Sequence, residues 1–322
     1  MITFRPFRNS DPPQLAEIWR SQPASRGLVQ PMSAAIFERQ VLNSPMFERE
    51  GLIVAAENER LLGFVHAGFG PTNDEQHIST AVGATCVLMV RPLEAPLTLA
   101  DDLLIQSERY LASRGAQSIL AGGVDRWGPF YLGLTGGSVC SIVLDSDRTQ
   151  QDFFTTHGYI EDARALVLHC DLARFRPPVD RRQLLVRRRT TLQVVDDPTA
   201  KTWWECSTLG SMDQTRFDLL PREGGPPLAD VTLWNMDLLG ATWGVRTAGL
   251  TNLEVLLGSN RRQGLAVYIV AEALRHFQQL GVMLVETQVE ADNQPAQFLF
   301  RKLGFVEVDQ AVRYRKPSTG NA

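Results

Sequence analysis

A turn near the end of the chain has the residue types that bind an anion. After an apolar, strand-like segment, residues 258–266 read Gly-Ser-Asn-Arg-Arg-Gln-Gly-Leu-Ala and lead into a helical pattern. The free backbone N–H groups and the positive dipole end of a helix start attract phosphate. Gly264 and Ala266 keep side chains away, while Arg261 and Arg262 offer charge-assisted hydrogen bonds. The turn predicts a phosphate site, with an ordinary surface turn as the alternative.

Carboxylates interrupt the strands on either side of this turn. Glu254 and Asn252 lie on the same side of a strand that is otherwise apolar, and Glu286 lies on the next strand. Burying such groups without a purpose is costly. We predict that Glu254 takes a proton or contacts a substrate, with Glu286 as the second candidate and a structural role as its alternative. The histidines and cysteines lack the spacing of a metal site or a catalytic triad.

The elements around the turn recur in the first half of the chain. Residues 90–122 align with residues 256–288 at one constant offset, which places Gly115 and Gly281 at equivalent helix C-terminal caps. Further on, a second match pairs Gly158 with Gly304 at a smaller offset. The first copy therefore carries an insertion near residues 126–144, which is turn-rich and aromatic. We expect a lid, an interdomain contact or a plain surface excursion there.

The proline pair Pro177-Pro178 discourages both helix and central strand and marks a linker. We therefore predict two domains, residues 1–173 and 183–317. In the second domain, strands are predicted at residues 231–236, 241–247, 250–257 and 283–289. The basic run that continues to Arg189 is interpreted as a solvated face or a strand edge. The fold class is α/β (α+β), two tandem domains each with a mixed, largely antiparallel sheet flanked by helices.

Composition excludes several classes of function. The net charge of −4 argues against a nucleic-acid partner, because phosphate-backbone binding needs a basic excess. No apolar stretch reaches the length of a membrane span, and the first residues lack a signal core, so we expect a cytoplasmic protein without a membrane partner. The sequence does not decide whether a homodimer forms.

Together these motifs resemble the GNAT acyltransferase superfamily. The pattern is Arg261-x-x-Gly264-x-Ala266 before a helix, then a strand, then Asn293-x-x-Ala296-x-x-Leu299-Phe300-x-x-x-Gly304-Phe305. The tandem arrangement is similar in architecture to mycothiol synthase, although no residue selects that substrate. The resemblance implies an N-acetyltransferase that moves an acetyl group from the co-substrate acetyl-CoA to a primary amine, on a small molecule or a peptide, by direct attack.

The resemblance also implies a binding role for particular residues. The backbone of the turn would cradle the CoA pyrophosphate, a strand end would pair with the pantetheine arm, and the last helix would flank the thioester. The implied cofactor-binding residues are Leu256, Leu257, Arg261, Arg262, Gln263, Gly264, Leu265, Ala266, Asn293 and Phe300.

One departure concerns the acid that protonates the departing thiolate. The family often places tyrosine where this chain has Phe300, which has no proton to give. Either Tyr268 or Tyr314 reaches the sulfur, or water does, or the thiolate leaves unassisted.

A second departure lies in the first half. Ala95 and Thr98 stand opposite Arg261 and Gly264, and Asp101 and Asp102 occupy the first turn of the helix. Thr98 and Asp101 resemble a helix capping arrangement that satisfies the amides internally. We predict a degenerate, non-catalytic copy.

Two other functions compete with this interpretation. A tandem pseudo-acetyltransferase would bind and sense acyl-CoA without turning it over. A dinucleotide-binding oxidoreductase would also have a glycine-bearing strand-to-helix turn, but the complete G-x-G-x-x-G pattern is missing.

Overall fold

The computed structural model of the chain describes residues 1–92, 98–121, 128–139, 143–256 and 263–317. Its contacts divide the chain into two compact units. The first unit comprises Met1–Arg164, Lys201–Gly210 and Ala311–Ala322, and the second comprises Ala165–Ala200 and Ser211–Gln310. Among the described residues, no helix is long and apolar enough to span a membrane.

The first half of the sequence alternates hairpin strands with helices. Its elements are β1 (Ile2–Pro6), α1 (Pro12–Arg20), α2 (Ala34–Phe37) with a π-helical continuation (Glu38–Leu42), a 3-10 turn (Arg49–Gly51), β2 (Leu52–Glu57), β3 (Arg60–Pro71), β4 (Ile78–Val90), α3 (Leu99–Ser113), β5 (Ser118–Ala121), α4 (Arg148–Thr156) and β6 (Ile160–Asp171).

The second half has a similar series. Its elements are α5 (Arg181–Arg189), β7 (Thr190–Asp196), α6 (Trp203–Leu209), β8 (Gln214–Pro221), β9 (Ala229–Asn235), α7 (Asp237–Trp243), β10 (Thr247–Val255), α8 (Leu265–Gln279), β11 (Leu284–Glu290), α9 (Gln294–Lys302) and β12 (Val306–Lys316).

Each unit has a mixed, largely antiparallel sheet, which confirms the predicted fold class. The strand order is β1-β2-β3-β4-β5-β12 in the first unit and β6-β11-β10-β9-β8-β7 in the second. The β4–β5 and β10–β11 pairs are parallel, and the other registered pairs within each unit are antiparallel.

The two halves of the sequence exchange their last strands. In the first unit β5 pairs with the end of β12, where Tyr314 lies opposite Ala121. In the second unit β11 pairs with β6, where His169 lies opposite Glu286. Helix α6 also belongs to the first unit, since the Trp204 N–H donates to the carbonyl of Glu75 at 3.0 Å. The compact units are therefore not contiguous, unlike the predicted ranges 1–173 and 183–317.

The internal repeat is confirmed at the level of helices and caps. Helices α3 and α8 have 15 residues each and are followed by Gly115 (φ 96°) and Gly281 (φ 81°), both left-handed. Helices α4 and α9 have nine residues each. Asp147 and Asn293 cap them by accepting a hydrogen bond from the backbone N–H three residues on. Equivalent local chemistry thus builds equivalent helices in both halves.

One predicted element of the second half is wrong and one strand was not predicted. Residues 241–243 of the predicted strand at 241–247 belong to α7, which ends at the left-handed Gly244 (φ 73°), and residues 244–246 are irregular. Gly240 lets this helix pack closely, since a Cβ there would lie 2.7 Å from the carbonyl oxygen of Val245. Strand β8 was not predicted, although Phe217 and Leu219, which are buried in the core, alternate with polar Arg216 and Asp218. Such alternation is typical of a strand with one face on the core.

The linker and the basic run also differ in part from expectation. Residues 176–180 are irregular, as the proline pair predicts. Asp180 then caps α5 by accepting from the Gln183 N–H at 2.9 Å, and the arginines follow on a helix. Val186 anchors α5 in the second core, while the arginines are exposed. The run is a solvated helix face.

The described part of the insertion belongs to the core of the first unit, so the expected lid or surface excursion is wrong. Tyr131 is 1% exposed and stacks on Trp19, with ring centroids 5.8 Å apart. Phe130 packs so close to β3 that a Cβ on Gly68 would lie 2.7 Å from its ring. Burying aromatic side chains of this size contributes about 1.5–3 kcal/mol each.

The predicted capping by Thr98 is also wrong. Thr98 stands at the start of α3, but its side chain makes no cap hydrogen bond. Asp101 instead pairs with His157 at 3.2 Å. The acidic first turn remains, and it opposes anion binding at this helix.

Acid should destabilise the first unit through His66. Its imidazole is fully buried, with Nδ1 2.9 Å from the Tyr131 hydroxyl, and burial lowers its pKa to about 3 from 6.5. The unfolded chain therefore binds a proton below pH 6.5 that the folded chain refuses, so stability is lost as pH falls through this window. Between these two pKa values, we expect the free energy of unfolding to fall by up to about 1.4 kcal/mol per pH unit.

The measurement is urea unfolding between pH 7 and pH 4.5, followed by tryptophan fluorescence. His66→Gln should flatten the pH dependence, whereas His77→Gln, at an exposed position, should leave it unchanged. An equally steep loss of stability in His66→Gln would show that other groups cause it.

Candidate active site

Strands β10 and β11 pair over only part of their length. Their parallel register extends from Thr247–Leu284 to Leu250–Thr287. Beyond this point β10 remains paired with β9 as far as Val255, and β11 remains paired with β6 as far as Glu290. Within the described residues, the two neighbouring strands thus diverge after Leu250.

A β-bulge in β10 decides which way its polar residues face. Leu250 lies opposite Leu233 and Asn252 lies opposite Thr232, so Thr251 is an extra residue. An extra residue reverses the alternation of side chains beyond it. Glu254 therefore faces the same side of the sheet as Gly249, although their positions differ by five, which would place them on opposite faces of a regular strand.

This side of the second unit's sheet is lined with polar groups. Asp230 lies directly opposite both Glu254 and Asp218, and it accepts a hydrogen bond from Asn252 Nδ2 at 3.2 Å. Asp218 accepts from Arg216 Nε at 3.0 Å. Glu254 is exposed, while Asp230 and Asp218 are buried. The opposite side carries the apolar core under α8, which includes Val231, Leu250, Val285, Ile269 and Phe277.

Glu286 and His169 form a buried pair on the polar side. Glu286 is fully buried, and its Oε2 lies 2.8 Å from Nε2 of His169. The His169 side chain retains 16% exposure, and its ring lies 5.4 Å from that of Trp243. Sequence reasoning set His169 aside because the histidines are scattered and lack the spacing of a metal site or a catalytic triad. Only the exchanged strand β6 brings it to Glu286.

The first unit presents a different surface at the equivalent positions. The third parallel pair is Ala84–Leu120, where the second unit has Gly249–Glu286. Beyond an equivalent bulge, Phe64 lies opposite Met89, where the second unit has Asp230 and Glu254. The insertion's Phe130 and Tyr131, with Trp19 and Phe37, pack on this side. This side of the first unit is therefore an aromatic core. Leu120, Phe64 and Met89 stand where the second unit has carboxylates.

The start of α8 keeps the features predicted for an anion site. Gly264 is left-handed (φ 85°), no side chain caps the helix, and its first turn contains no acidic residue. The Cβ of Arg182 lies 3.8 Å from the position that a Cβ on Gly264 would take, and Gln183 Nε2 donates to the carbonyl of Gly264 at 3.4 Å. Arg182 is a cation that sequence reasoning did not assign to this site.

Several predicted binding residues lie in or near this region. Gln263, Gly264, Leu265 and Ala266 form the described part of the turn, and Leu256 is the last described residue after β10. Leu257, Arg261 and Arg262 lie outside the described residues. On α9, Asn293 acts as the helix cap, and Phe300 is buried against Phe305 with ring centroids 5.1 Å apart.

The two tyrosines predicted as acids lie in different units. Tyr268 is on α8, partly buried beside the core, and burial followed by the charge of Glu272 raises its pKa. Tyr314 belongs to the first unit, where its ring stacks on Phe154 and burial raises its pKa. Of the two tyrosines, Tyr268 is the one that lies in the second unit. No cluster of His, Cys, Asp and Glu among the described residues could hold a metal ion.

Comparisons with known proteins agree with this geometry. Residues 239–305, from α7 to the end of α9, match the acetyltransferase (GNAT) family. No curated protein matches the chain by sequence comparison.

Solved structures share the fold across the whole chain. A tandem GNAT protein from the clavulanic acid biosynthesis pathway has 14% identity and a TM-score of 0.68, with 100% of both chains covered. A GCN5-related N-acetyltransferase from Sphaerobacter thermophilus has 14% identity and a TM-score of 0.63, covering 98% of this chain and 95% of that one.

A third similar structure is the glucosamine N-acetyltransferase region of a fungal multi-domain β-N-acetylglucosaminidase. It has 17% identity and a TM-score of 0.73, and the match covers 98% of this chain but 38% of that chain. At these identities the likeness establishes the fold alone. Residues 239–305 are therefore similar to the acetyltransferase (GNAT) family, and the chain as a whole has the fold of tandem GNAT proteins.

Proposed function

We propose that the second unit transfers an acetyl group from acetyl-CoA to a primary amine by direct attack. The observation that carries this proposal is the combination of two features in one unit. Strands β10 and β11 diverge after Leu250, and an uncapped helix with no acidic first turn follows β10. A gap between strands suits an extended arm, and a free helix start suits phosphates.

Acetyl-CoA would bind with its pyrophosphate at the start of α8. The N–H groups of Leu265 and Ala266 lie in the first turn, and Arg261 and Arg262 precede it in sequence. Arg182 adds a third cation from α5. The pantetheine arm would run along the β10 end at Leu256 and Leu257, in the gap between the strands.

The acceptor would approach the polar side of the sheet. Glu254, Asp230 and Asp218 give this side negative character, which attracts a cationic amine. We assign the exposed Glu254 to contact with the acceptor. Trp234 and Trp243 border the same side, through Trp234 opposite Gly249 and Trp243 against His169.

The departing thiolate needs little help. Phe300 is buried and has no acidic proton. Tyr268 keeps its proton near neutrality because burial raises its pKa, so it can donate if it reaches the sulfur. The first unit, with an aromatic core in place of the polar side, would not catalyse transfer.

Acetyl-CoA should raise the thermal midpoint, because a ligand that binds only the folded state adds about 2.7 kcal/mol at one hundred times Kd. Arg261→Glu with Gly264→Glu should abolish the shift. Gly264 has φ 85°, so the variant also starts from a lower midpoint, and the readout is the ligand-induced shift. Thr98→Glu, at the position equivalent to Gly264, is the control that keeps it. A normal shift in the double variant would place the phosphates elsewhere.

Arg182→Glu should weaken acetyl-CoA binding roughly three- to thirtyfold, because a charge near a helix end contributes about 0.3–1 kcal/mol and reversal changes its sign. Arg188→Glu, on the opposite side of α5 from Gln183 and Val186, is the matched control. Isothermal titration calorimetry measures both. Equal affinities in the two variants would remove Arg182 from the site.

Glu254→Gln should raise KM for a cationic amine several-fold while changing kcat little, since contact charges act mainly on binding. Thiol release with glucosamine and with a lysine-containing tripeptide measures this, and added salt should raise the parent KM in the same direction. If no amine supports thiol release while acetyl-CoA still binds, the protein is the sensing pseudo-acetyltransferase instead.

A further inference from the structure

His169 stands at a point where chemistry would need a proton acceptor. It lies directly opposite Glu286 in the β6–β11 register, so both side chains project from the same side of the sheet. Their hydrogen bond is 2.8 Å long. Glu286 is fully buried, whereas 16% of the His169 side chain is exposed. Only the histidine of this pair can touch a substrate.

The pair lies beside the point where the strands separate. Glu286 is opposite Gly249, and Gly249 is opposite Trp234, so one row crosses β6, β11, β10 and β9. The row is one residue before the last parallel pair, Leu250–Thr287. Gly249 has no side chain, so only its backbone lies between the side chains of Glu286 and Trp234 in this row. A reacting group held in the gap would meet this row first.

We infer that His169 is the proton acceptor for the incoming amine, and that Glu286 is the positioning residue that orients it. This inference rests on the proposed function. A carboxylate that accepts the Nε2–H sets the tautomer with the basic lone pair on Nδ1 and stabilises the imidazolium that forms. Without such a partner a histidine has neither a fixed tautomer nor a fixed ring orientation.

The transfer balances as follows. The substrate ammonium gives one proton to Nδ1 of His169 and becomes a free amine. Its nitrogen attacks the thioester carbonyl carbon, so a C–N bond forms and a tetrahedral intermediate results. Collapse breaks the C–S bond, and the remaining extra proton on nitrogen passes to the leaving thiolate. The products are the amide and free CoA, and His169 returns its proton to solvent.

Other charged groups on this side are further from the row. Asp171 and Glu290 flank it on β6 and β11, and both are exposed. Asp230 is bound by Asn252, and Glu254 lies beyond the bulge. All are carboxylates, and none of them lies in the row with Glu286. In the first unit the equivalent pair is Arg315 opposite Leu120, which has no base.

The first test is independent of turnover. The chain has five histidines, so NMR of histidine-labelled protein resolves few imidazoles, and His169→Gln identifies the signal that disappears. We expect the Nε2–H tautomer of His169 in the parent protein and a less uniform tautomer in Glu286→Gln, because the charged acceptor that holds the Nε2–H is then gone. A parent tautomer protonated on Nδ1, or an unchanged tautomer in Glu286→Gln, would overturn the pairing.

The second test is kinetic, with acetyl-CoA and the amine that the parent protein uses. His169→Gln keeps a donor for Glu286, and it should lower kcat about a hundredfold at pH 7, the usual reach of a positioned base, with KM for acetyl-CoA within twofold. High pH should partly restore activity, since more amine arrives deprotonated. Glu286→Gln should lower kcat with little change in KM for acetyl-CoA, because His169 then lacks the charged partner that orients it. His276→Gln, on α8 in the same unit, is the matched control.

The outcomes separate this inference from the proposed function. A parent protein that releases thiol, with His169→Gln equally active and folded, would overturn the role of His169 and keep the transferase. A hundredfold loss with high-pH rescue in Glu254→Gln, and none in His169→Gln, would assign the base to Glu254. A parent protein that binds acetyl-CoA but transfers to no amine would overturn the proposed function, while the NMR result still tests the pair.

Discussion

Parallel strands β10 and β11 share register for only four residue pairs, from Thr247–Leu284 to Leu250–Thr287, although both strands continue. Each strand keeps its outer partner, so the separation costs hydrogen bonds on one edge only. The edge that opens is polar backbone, which a ligand arm with amide groups can satisfy. The turn before α8 and the polar row around Gly249 both border this separation.

The two units show how one fold can be filled in opposite ways. Beyond equivalent bulges, the first unit places Phe64 and Met89 where the second has Asp230 and Glu254. The insertion completes the core of the first unit, because it adds the buried side chains of Phe130 and Tyr131. Apolar burial stabilises that unit, whereas the second keeps buried carboxylates that must be hydrogen-bonded. The equivalent side of the sheet is thus apolar core in the first unit and polar in the second.

Strand exchange links the halves more closely than a linker does. Glu286 is fully buried, and its hydrogen-bond partner His169 comes from the strand that ends the first half. An ionised carboxylate without such a partner would cost several kcal/mol, because a low-dielectric interior does not replace its hydration. The second unit therefore depends on β6, just as the first depends on the end of β12 for the edge of its sheet. A cut at the proline linker would leave both sheets incomplete.

Local patterns in the sequence by themselves determined the tandem repeat, the mixed sheet, helices α8 and α9 and the left-handed cap at Gly281, since helix periodicity and glycine conformation act over a few residues. The same patterns predicted an anion-binding turn, which stays a prediction, and wrongly assigned a strand to residues 241–247, where α7 ends. Three features were decided only in the tertiary structure: the bulge at Thr251 that turns Glu254 toward Glu286, the packing of the insertion, and the contact of His169 with Glu286. Each depends on pairing between strands distant in the chain, and register between such strands follows from the packing of the whole sheet.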